Sequence, residues 1–574
     1  MDIRAMMDVF VEHYAADYTP EVKMIFTRDK SPRGKHHAMC RNGLFAETVL
    51  CHGYEKYYDM ALGIVDKLCD LQDVRPGSKT FGLWSTVIET PLDEMFFHDY
   101  NRADFVGRFL QEIYEASTCP LPDALKAKMR TAIRNAALCS IGRNPGLDYT
   151  NIIALSCFTI THAGELLEDP EIFAIGKERL TRFLAYTRHT TSFSEYNSSC
   201  YVLTMMDGLY RMIHRFRDPE CVEMGKELSF HAWKMLAEHY NCHLQQITPP
   251  QCRAYENLDD GIRAWYIHEG TAGRFGKPIA EEEFPRFRAY NDEYLLTQLL
   301  APLPCPEEAI PFFTLGERFL AHTYYKPNNL RKPNEDLTII REPDSPELTA
   351  YSWQTEKLSM GAFQFCDTWE QRLNCMVIWD KDHPKYFRIR GMEGNHDFCS
   401  GVVHAQQTYG RILGQVGLVS DRGTRHYIQD PRKDGVYETD AIYFCFELGG
   451  DCQDLTIAQS GKDFIICDGD ITIRLHIAKW VWDGKDAPVY LSADEKTVIL
   501  EGYRGETVLF DTNKLGPTYG VFTMTVEYPG HEADACELTV AAENGKVSSL
   551  WGDLQVTSHT STVPYRTALG LENK

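Results

Sequence analysis

Asn151-Ile152-Ile153-Ala154-Leu155-Ser156-Cys157-Phe158-Thr159-Ile160-Thr161-His162-Ala163-Gly164-Glu165-Leu166 is apolar nearly all round at helical spacing. Glu171 to Arg188, beyond the turn Glu168-Asp169-Pro170, instead sets Ile172, Ile175, Arg179, Leu180, Phe183 and Leu184 so that one face is apolar and the other charged. A helix carries an apolar surface all round only when other helices enclose it, whereas a single stripe marks a helix lying on a core with its back in water. The pair therefore reads as the inner and outer helix of one hairpin in a ring of hairpins, an α/α toroid whose concave end stays open.

The pattern extends both ways along the chain. Upstream, helices are predicted over Ile3–Tyr18, Leu44–Leu71, Ala103–Ser117 and Pro122–Ile141. Downstream, the helix opening at Tyr201 is inner again and Pro219–His239 outer, and helical spacing persists through Asp292–Leu300 and Pro306–Thr323. A polar run with two prolines, at 326–336, then reads as a linker. Beyond it the period changes to alternation, as in Leu337–Ile340, Leu348–Trp353, Met376–Trp379, Tyr386–Arg390, Ala441–Phe446, Ile471–His476 and Phe522–Glu527, punctuated by turns such as Asp468-Gly469-Asp470. The expected organisation is a toroid over 1–325 and a large antiparallel β-sandwich over 337–574, with no sequence repeat behind the hairpins.

At 574 residues, 44 % hydrophobic and 25 % charged, the chain has the composition of a globular protein of two or three domains. A net charge of -23 with no basic run argues against sequence-independent nucleic-acid binding and against anionic membranes. The start Met1-Asp2-Ile3-Arg4-Ala5-Met6-Met7 lacks a signal-peptide core and no later stretch reads as membrane-spanning, so a cytoplasmic protein is expected, as a monomer or a homodimer. Eighteen cysteines without C-x-x-C spacing, mostly in apolar surroundings, read as reduced buried thiols. No cofactor is expected. The one spacing that suggests a structural metal is His239 and His243, four apart around Cys242.

Chemistry is concentrated in Ser192-Phe193-Ser194-Glu195-Tyr196-Asn197-Ser198-Ser199-Cys200-Tyr201, a loop-to-helix junction holding a carboxylate, two phenols, an amide and hydroxyls. Tyr149-Thr150-Asn151 opens the previous inner helix and would face the same concave opening; Asn151 also suits an ordinary N-cap. The segment Pro249-Pro250-Gln251-Cys252-Arg253-Ala254-Tyr255 brings an Arg and a Tyr to what reads as a rim loop. Trp84, in Phe81-Gly82-Leu83-Trp84, and Trp265, in Trp265-Tyr266, offer faces on which a pyranose stacks, unless they are core.

In this architecture and in these motifs the chain resembles the heparinase II/III-like and alginate-lyase-like polysaccharide lyases. Asn151 stands where that family places an inner-helix Asn, and Tyr201 after Glu195 stands where it places a catalytic Tyr. His404-Ala405-Gln406 is a partial counterpart of its Gly-His-Ala-Asp strand start, with Val403 and Gln406 replacing Gly and Asp, and Ile152 replaces the His that often follows the Asn.

The resemblance implies β-elimination on a uronate-containing oligosaccharide or polysaccharide. Asn151 or Arg253 would neutralise the uronate carboxylate, and Tyr201, His404 and Tyr255 would share the roles of base and acid, with Glu195, Tyr196, Asn197, Tyr149 and the two tryptophans around the sugar. A free tyrosine titrates near ~10, so Tyr201 acts as a base only beside a cation such as Arg253. Two other readings stay open: a glycoside hydrolase pairing Glu195 with Glu89, Asp99 or Asp148 across the sugar, and a carbohydrate-binding protein without catalysis.

Overall fold

The computed structural model of the chain describes residues 3–28, 35–283, 292–325, 346–365, 370–424, 434–533 and 536–571. The first part is built from helices α1 (Ile3–Ala16), α2 (Met39–Cys51), α3 (Tyr58–Asp70), α4 (Asn101–Ala116), α5 (Asp123–Arg143), α6 (Thr150–Leu167), α7 (Pro170–Thr190), α8 (Tyr201–Arg215), α9 (Pro219–His239), α10 (Ile262–Gly270) and α11 (Asp292–Leu300). Helices α2, α4, α6 and α8 pack in succession as an inner ring, with α11 touching both α2 and α8. Helices α3, α5, α7 and α9 back them from outside.

Burial follows the sequence pattern. Every residue of α6 from Thr150 to Gly164 is buried, whereas α7 buries one face through Ile172, Gly176, Leu180, Phe183 and Leu184. Ile175, expected on that apolar face, is exposed because the small Gly176 occupies the contact instead. A Cβ at Gly176 would stand 2.5 Å from Thr161 Oγ1 and one at Gly164 2.4 Å from Phe173 N, so the two glycines let the hairpin close. Asp169 accepts from Ile172 N and Asp218 from Cys221 N, each followed by proline at the first helical position, which starts both outer helices.

Two expectations change. Leu44–Leu71 is two helices, α2 and α3, broken where Gly53 takes a positive φ of 74° at the C-terminal end of α2. Pro306–Thr323 is not an α-helix: it holds a single 3-10 turn at Ile310–Phe312, and Arg318–Tyr325 is a strand pairing antiparallel with Glu347–Gln354, where backbone bonding to a neighbour outweighs local preference. The expected linker at 326–336 and the strand at Leu337–Ile340 lie outside the described residues.

All strand pairs of the two large sheets are antiparallel. One runs from Val489–Leu491 through Thr497–Asp511, Val436–Gly450, Lys385–Glu393, Cys375–Trp379, Leu358–Phe363 and Glu347–Gln354 to Arg318–Tyr325. The other runs from Gly401–Thr408 through Arg411–Leu418, Tyr519–Glu527, Ile471–Trp482 and Asp463–Asp468 to Ala458–Ser460. Aromatic side chains lock their facing surfaces, Phe446 on Phe522 and Phe444 on Trp480. A third, three-stranded sheet, Leu538–Glu543, Lys546–Trp551 and Leu554–His559, covers the second with Val547, Trp551 and Val556.

Backbone and side-chain hydrogen bonds join the helices to the sheets along their seam. Gln251 and Leu373 exchange two backbone hydrogen bonds, and Asn241 Nδ2 donates to Thr355 O at 2.8 Å. Gly361 lies so close that a Cβ there would be 1.9 Å from Pro249 O. No disulfide joins the described cysteines, and no helix among the described residues is long and apolar enough to cross a membrane.

Candidate active site

Inner helices α2, α4, α6 and α8 all begin at one cavity of about 310 Å³, to which they contribute Cys40, Asn101, Asn151 and Tyr201 within their first two positions. Four helix N-termini aimed at one space favour negative charge there, through exposed N–H groups and aligned peptide dipoles.

Glu195 is the hub behind the wall. Its Oε2 accepts from the Asn151 backbone N–H at 2.8 Å and from Asn151 Nδ2 at 2.5 Å, while Oε1 accepts from Arg253 Nη1 at 2.8 Å. A carboxylate accepts only, so the Asn151 amide must turn its nitrogen toward Glu195; Oδ1 is left without a hydrogen-bond partner among the described residues. Arg253 completes its fork by donating from Nη2 to Tyr201 Oη at 2.8 Å and from Nε to Gln371 Oε1 at 3.1 Å. Burial lowers the proton affinity of this guanidinium, but Tyr201 and Glu195 outweigh it and hold Arg253 well above its ordinary value, a fixed cation. Tyr201 Oη in turn lies 2.6 Å from Tyr255 Oη, and Tyr255 is 47 % exposed, so the chain of polar groups reaches solvent.

Local chemistry sets these positions. Ser198 Oγ accepts from Tyr201 N, the first residue of α8, and donates to Arg253 O at 2.6 Å, tying the helix start to the loop that carries the arginine. Asn197 Nδ2 donates to Thr248 O and Pro250 O and so holds the same loop from below. From the sheet side, Gln371 takes both the Arg253 Nε donor and, through its carbonyl, the N–H of Ala254.

Residues 4–261 match a family model described as "Domain of unknown function (DUF8769)". No curated protein matches the sequence. Among solved structures the chain is similar to heparinase III at 9 % identity and a TM-score of 0.41, over 91 % of this chain and 82 % of that one. It is also similar to chondroitinase AC lyase at 10 % identity and 0.37, over 95 % and 84 %, and to a mutant heparan sulfate lyase HepC from Pedobacter heparinus at 9 % and 0.29, over 98 % and 90 %.

Of the residues singled out in the sequence, the fold brings Tyr149, Asn151, Tyr201 and Tyr255 to the cavity wall, with Glu195 and Arg253 bonded behind them. Tyr149 Oη accepts from Asn101 Nδ2 at 3.3 Å. The others go elsewhere. Tyr196 points away from Glu195 into the seam, where its hydroxyl donates to His239 Nε2 at 2.7 Å and its ring packs on Tyr324 and Phe363. Asn197 is a loop brace, its amide consumed by two carbonyls. Trp84 and Trp265 are core residues, the first bonded to Leu68 O, so neither offers a face to a sugar.

His404 sits in the strand Gly401–Thr408 with its ring edge-on to Phe365 at 4.5 Å, and it is not among the residues lining the cavity. Burial, aided by His559, pushes its imidazole down to about 3, which keeps it neutral at pH 7. His239 and His243 do not converge: α9 ends at His239, whose ring nitrogens meet Tyr196 and Met235 O, and His243 Nε2 meets Leu315 O. Glu89 is hydrogen-bonded to the backbone and ring of His37, whereas Asp99 lines the cavity bound to Arg102 at 3.1 Å.

Sequence reading missed Asn101, Arg102 and Arg108, all on the cavity wall. Their signal was present: positions 101, 105 and 108 fall on one face of α4, and a polar residue on the inward face of an inner helix has to be explained by what it meets.

Proposed function

We propose that the protein is a glycan lyase that cleaves a uronate-containing oligosaccharide by β-elimination. The uronate carboxylate enters the space ringed by helix N-termini and is met by the Asn151 amide, whose second N–H is not needed by Glu195. Tyr201, as phenolate, takes the proton from C5. The C5 electrons form the C4–C5 double bond, the bond from C4 to the bridging oxygen breaks, and the Tyr201–Tyr255 pair returns a proton to that oxygen.

The observation that carries this reading is the Arg253 Nη2 to Tyr201 Oη bond, because a cation donating to a phenol oxygen stabilises the phenolate that a base must be. The hydrolase reading is less well supported: both Glu195 oxygens are taken by three donors, leaving no lone carboxyl to protonate a glycosidic oxygen or attack a sugar.

The test is ultraviolet absorbance of the purified protein with a panel of uronate oligosaccharides. The conjugated C4–C5 product is expected with the native chain and not with Tyr201→Phe. New sugar ends without the chromophore would replace elimination by hydrolysis, and saturable sugar binding without turnover would leave a binding protein.

A further inference from the structure

Arg108 lies seven residues beyond Asn101 on α4, about 10 Å deeper along the ring axis at ~1.5 Å per residue, and it too lines the cavity. The residue is only 4 % exposed. Its Nε stands 2.8 Å from Asp207 Oδ2, yet neither Nε nor Nη1 makes an aligned hydrogen bond among the described residues. Phe105 and Phe109 lie beneath the guanidinium and offer no acceptor lone pair.

Asp207 is not Arg108's alone. Its Oδ1 accepts from Arg211 Nε at 2.9 Å, and Arg211 Nη1 continues to Glu47 Oε1 at 2.9 Å and Glu112 Oε1 at 3.4 Å. Glu112 Oε2 then takes Arg215 Nε at 2.9 Å. This ladder of alternating charge runs down the ring from the cavity, and Arg108 is its top rung, with Asp207 below and the cavity above. Burial accordingly holds the Arg108 guanidinium below its ordinary value even though Asp207 pulls the other way. An anion reaching this side chain from the cavity would give Nη1, which Asp207 does not meet, the acceptor it lacks.

We propose that Arg108 is the anion receptor at the deep end of the cavity, binding a carboxylate or sulfate carried by the innermost sugar of the substrate and selecting anionic over neutral sugars there. This rests on the glycan reading of the cavity, but not on elimination. Asp207 is the positioning residue that orients the fork.

Calorimetric titration of the full chain with glucuronate, glucose 6-sulfate and glucose at fixed ionic strength tests it. Native protein is expected to bind at least one anionic sugar about tenfold or more tightly than glucose; preference for glucuronate alone assigns a carboxylate, and preference for the sulfate assigns a sulfate pocket. Arg108→Gln, checked for folding by its thermal transition, should bring the anionic sugars to within about threefold of glucose, and Arg108→Lys, which keeps the charge without the fork, should fall between. The proposal is overturned if the native chain shows no anion preference, or if a folded Arg108→Gln keeps it; where the Gln variant does not fold, Arg108→Lys decides, and an undiminished preference in that variant overturns the proposal. A chromophore together with undiminished preference in Arg108→Gln sinks the receptor and leaves the lyase, whereas Arg108-dependent binding without any chromophore does the reverse.

Discussion

Arg253 and Tyr201 meet twice: Nη2 donates to the phenol oxygen at 2.8 Å, and the guanidinium carbon stands 3.9 Å from the centroid of the same ring. The hydrogen bond favours loss of the phenol proton, and the face contact fixes the ring plane. One side chain thus tunes the phenol and orients it.

Arg253→Lys keeps a positive charge but offers no fork, so it can serve Glu195 or Tyr201 and not both. We expect turnover to fall by roughly 10²–10³, the usual cost of removing one preorganised donor. The rising limb of the pH–rate profile should move to higher pH, since a less stabilised phenolate forms later. A limb that stays in place would remove Tyr201 from the role of titrating base.

Glu195→Gln keeps the shape of the hub and removes its charge. Asn151 loses a charge-assisted acceptor and Arg253 loses its buried counter-ion, so turnover should drop while measurable elimination survives. Chromophore assays on this variant separate the mechanisms, because a hydrolase using Glu195 would show no residual bond cleavage.

The inner position of α6 was legible because burial on all sides leaves a trace: its apolar residues run nearly all round, as an enclosed helix requires. Strands were legible by alternation, and only where pairing is central. Arg318–Tyr325, at the sheet edge, was read as helix because its register comes from a partner strand rather than from its own pattern. In the candidate site, Glu195 and Tyr201 were legible as polar residues at a loop-to-helix junction, and Arg253 as part of a rim loop. The direction of Tyr196 was not, since a loop gives no periodicity from which to infer a face, and its phenol suits a seam as well as a site. Arg108 and Asp207 were hidden for the opposite reason: charges inside an apolar ring look like solvent-facing residues until their helix faces are known.

Gly361→Ala touches no reacting group. Its Cβ would stand 1.9 Å from Pro249 O, so the loop carrying Arg253 must shift. We expect a loss of about 1–3 kcal/mol of stability, the usual range for overpacking, with a larger fall in kcat than in binding. Denaturant unfolding and steady-state kinetics on the same sample check both; unchanged kinetics would show that the seam does not position Arg253.

Acid should destabilise the fold through three enclosed histidines, His239 fully buried and His322 and His404 partly so. Burial pushes His239 and His404 down to about 3 and His322 to about 4, whereas unfolded histidines titrate near ~6.5. Between those values the unfolded chain binds more protons, so the stability is complete above about pH 6.5 and is lost as pH falls toward the folded values. Thermal midpoints at pH 7 and pH 5 should therefore differ more for the native chain than for His404→Phe; equal differences would mean that His404 is not the neutral, enclosed group described.

Glu195 and Tyr196 are neighbours on the chain that face opposite ways, one into the polar site and the other into a socket of sheet aromatics. That arrangement restricts how such a protein can be recombined in evolution. A helical ring grafted onto a foreign β partner would carry Tyr201 and Arg253 intact, yet lack the socket that keeps Tyr196 turned away. The helical half keeps its candidate site in shape only together with the surface on which it rests.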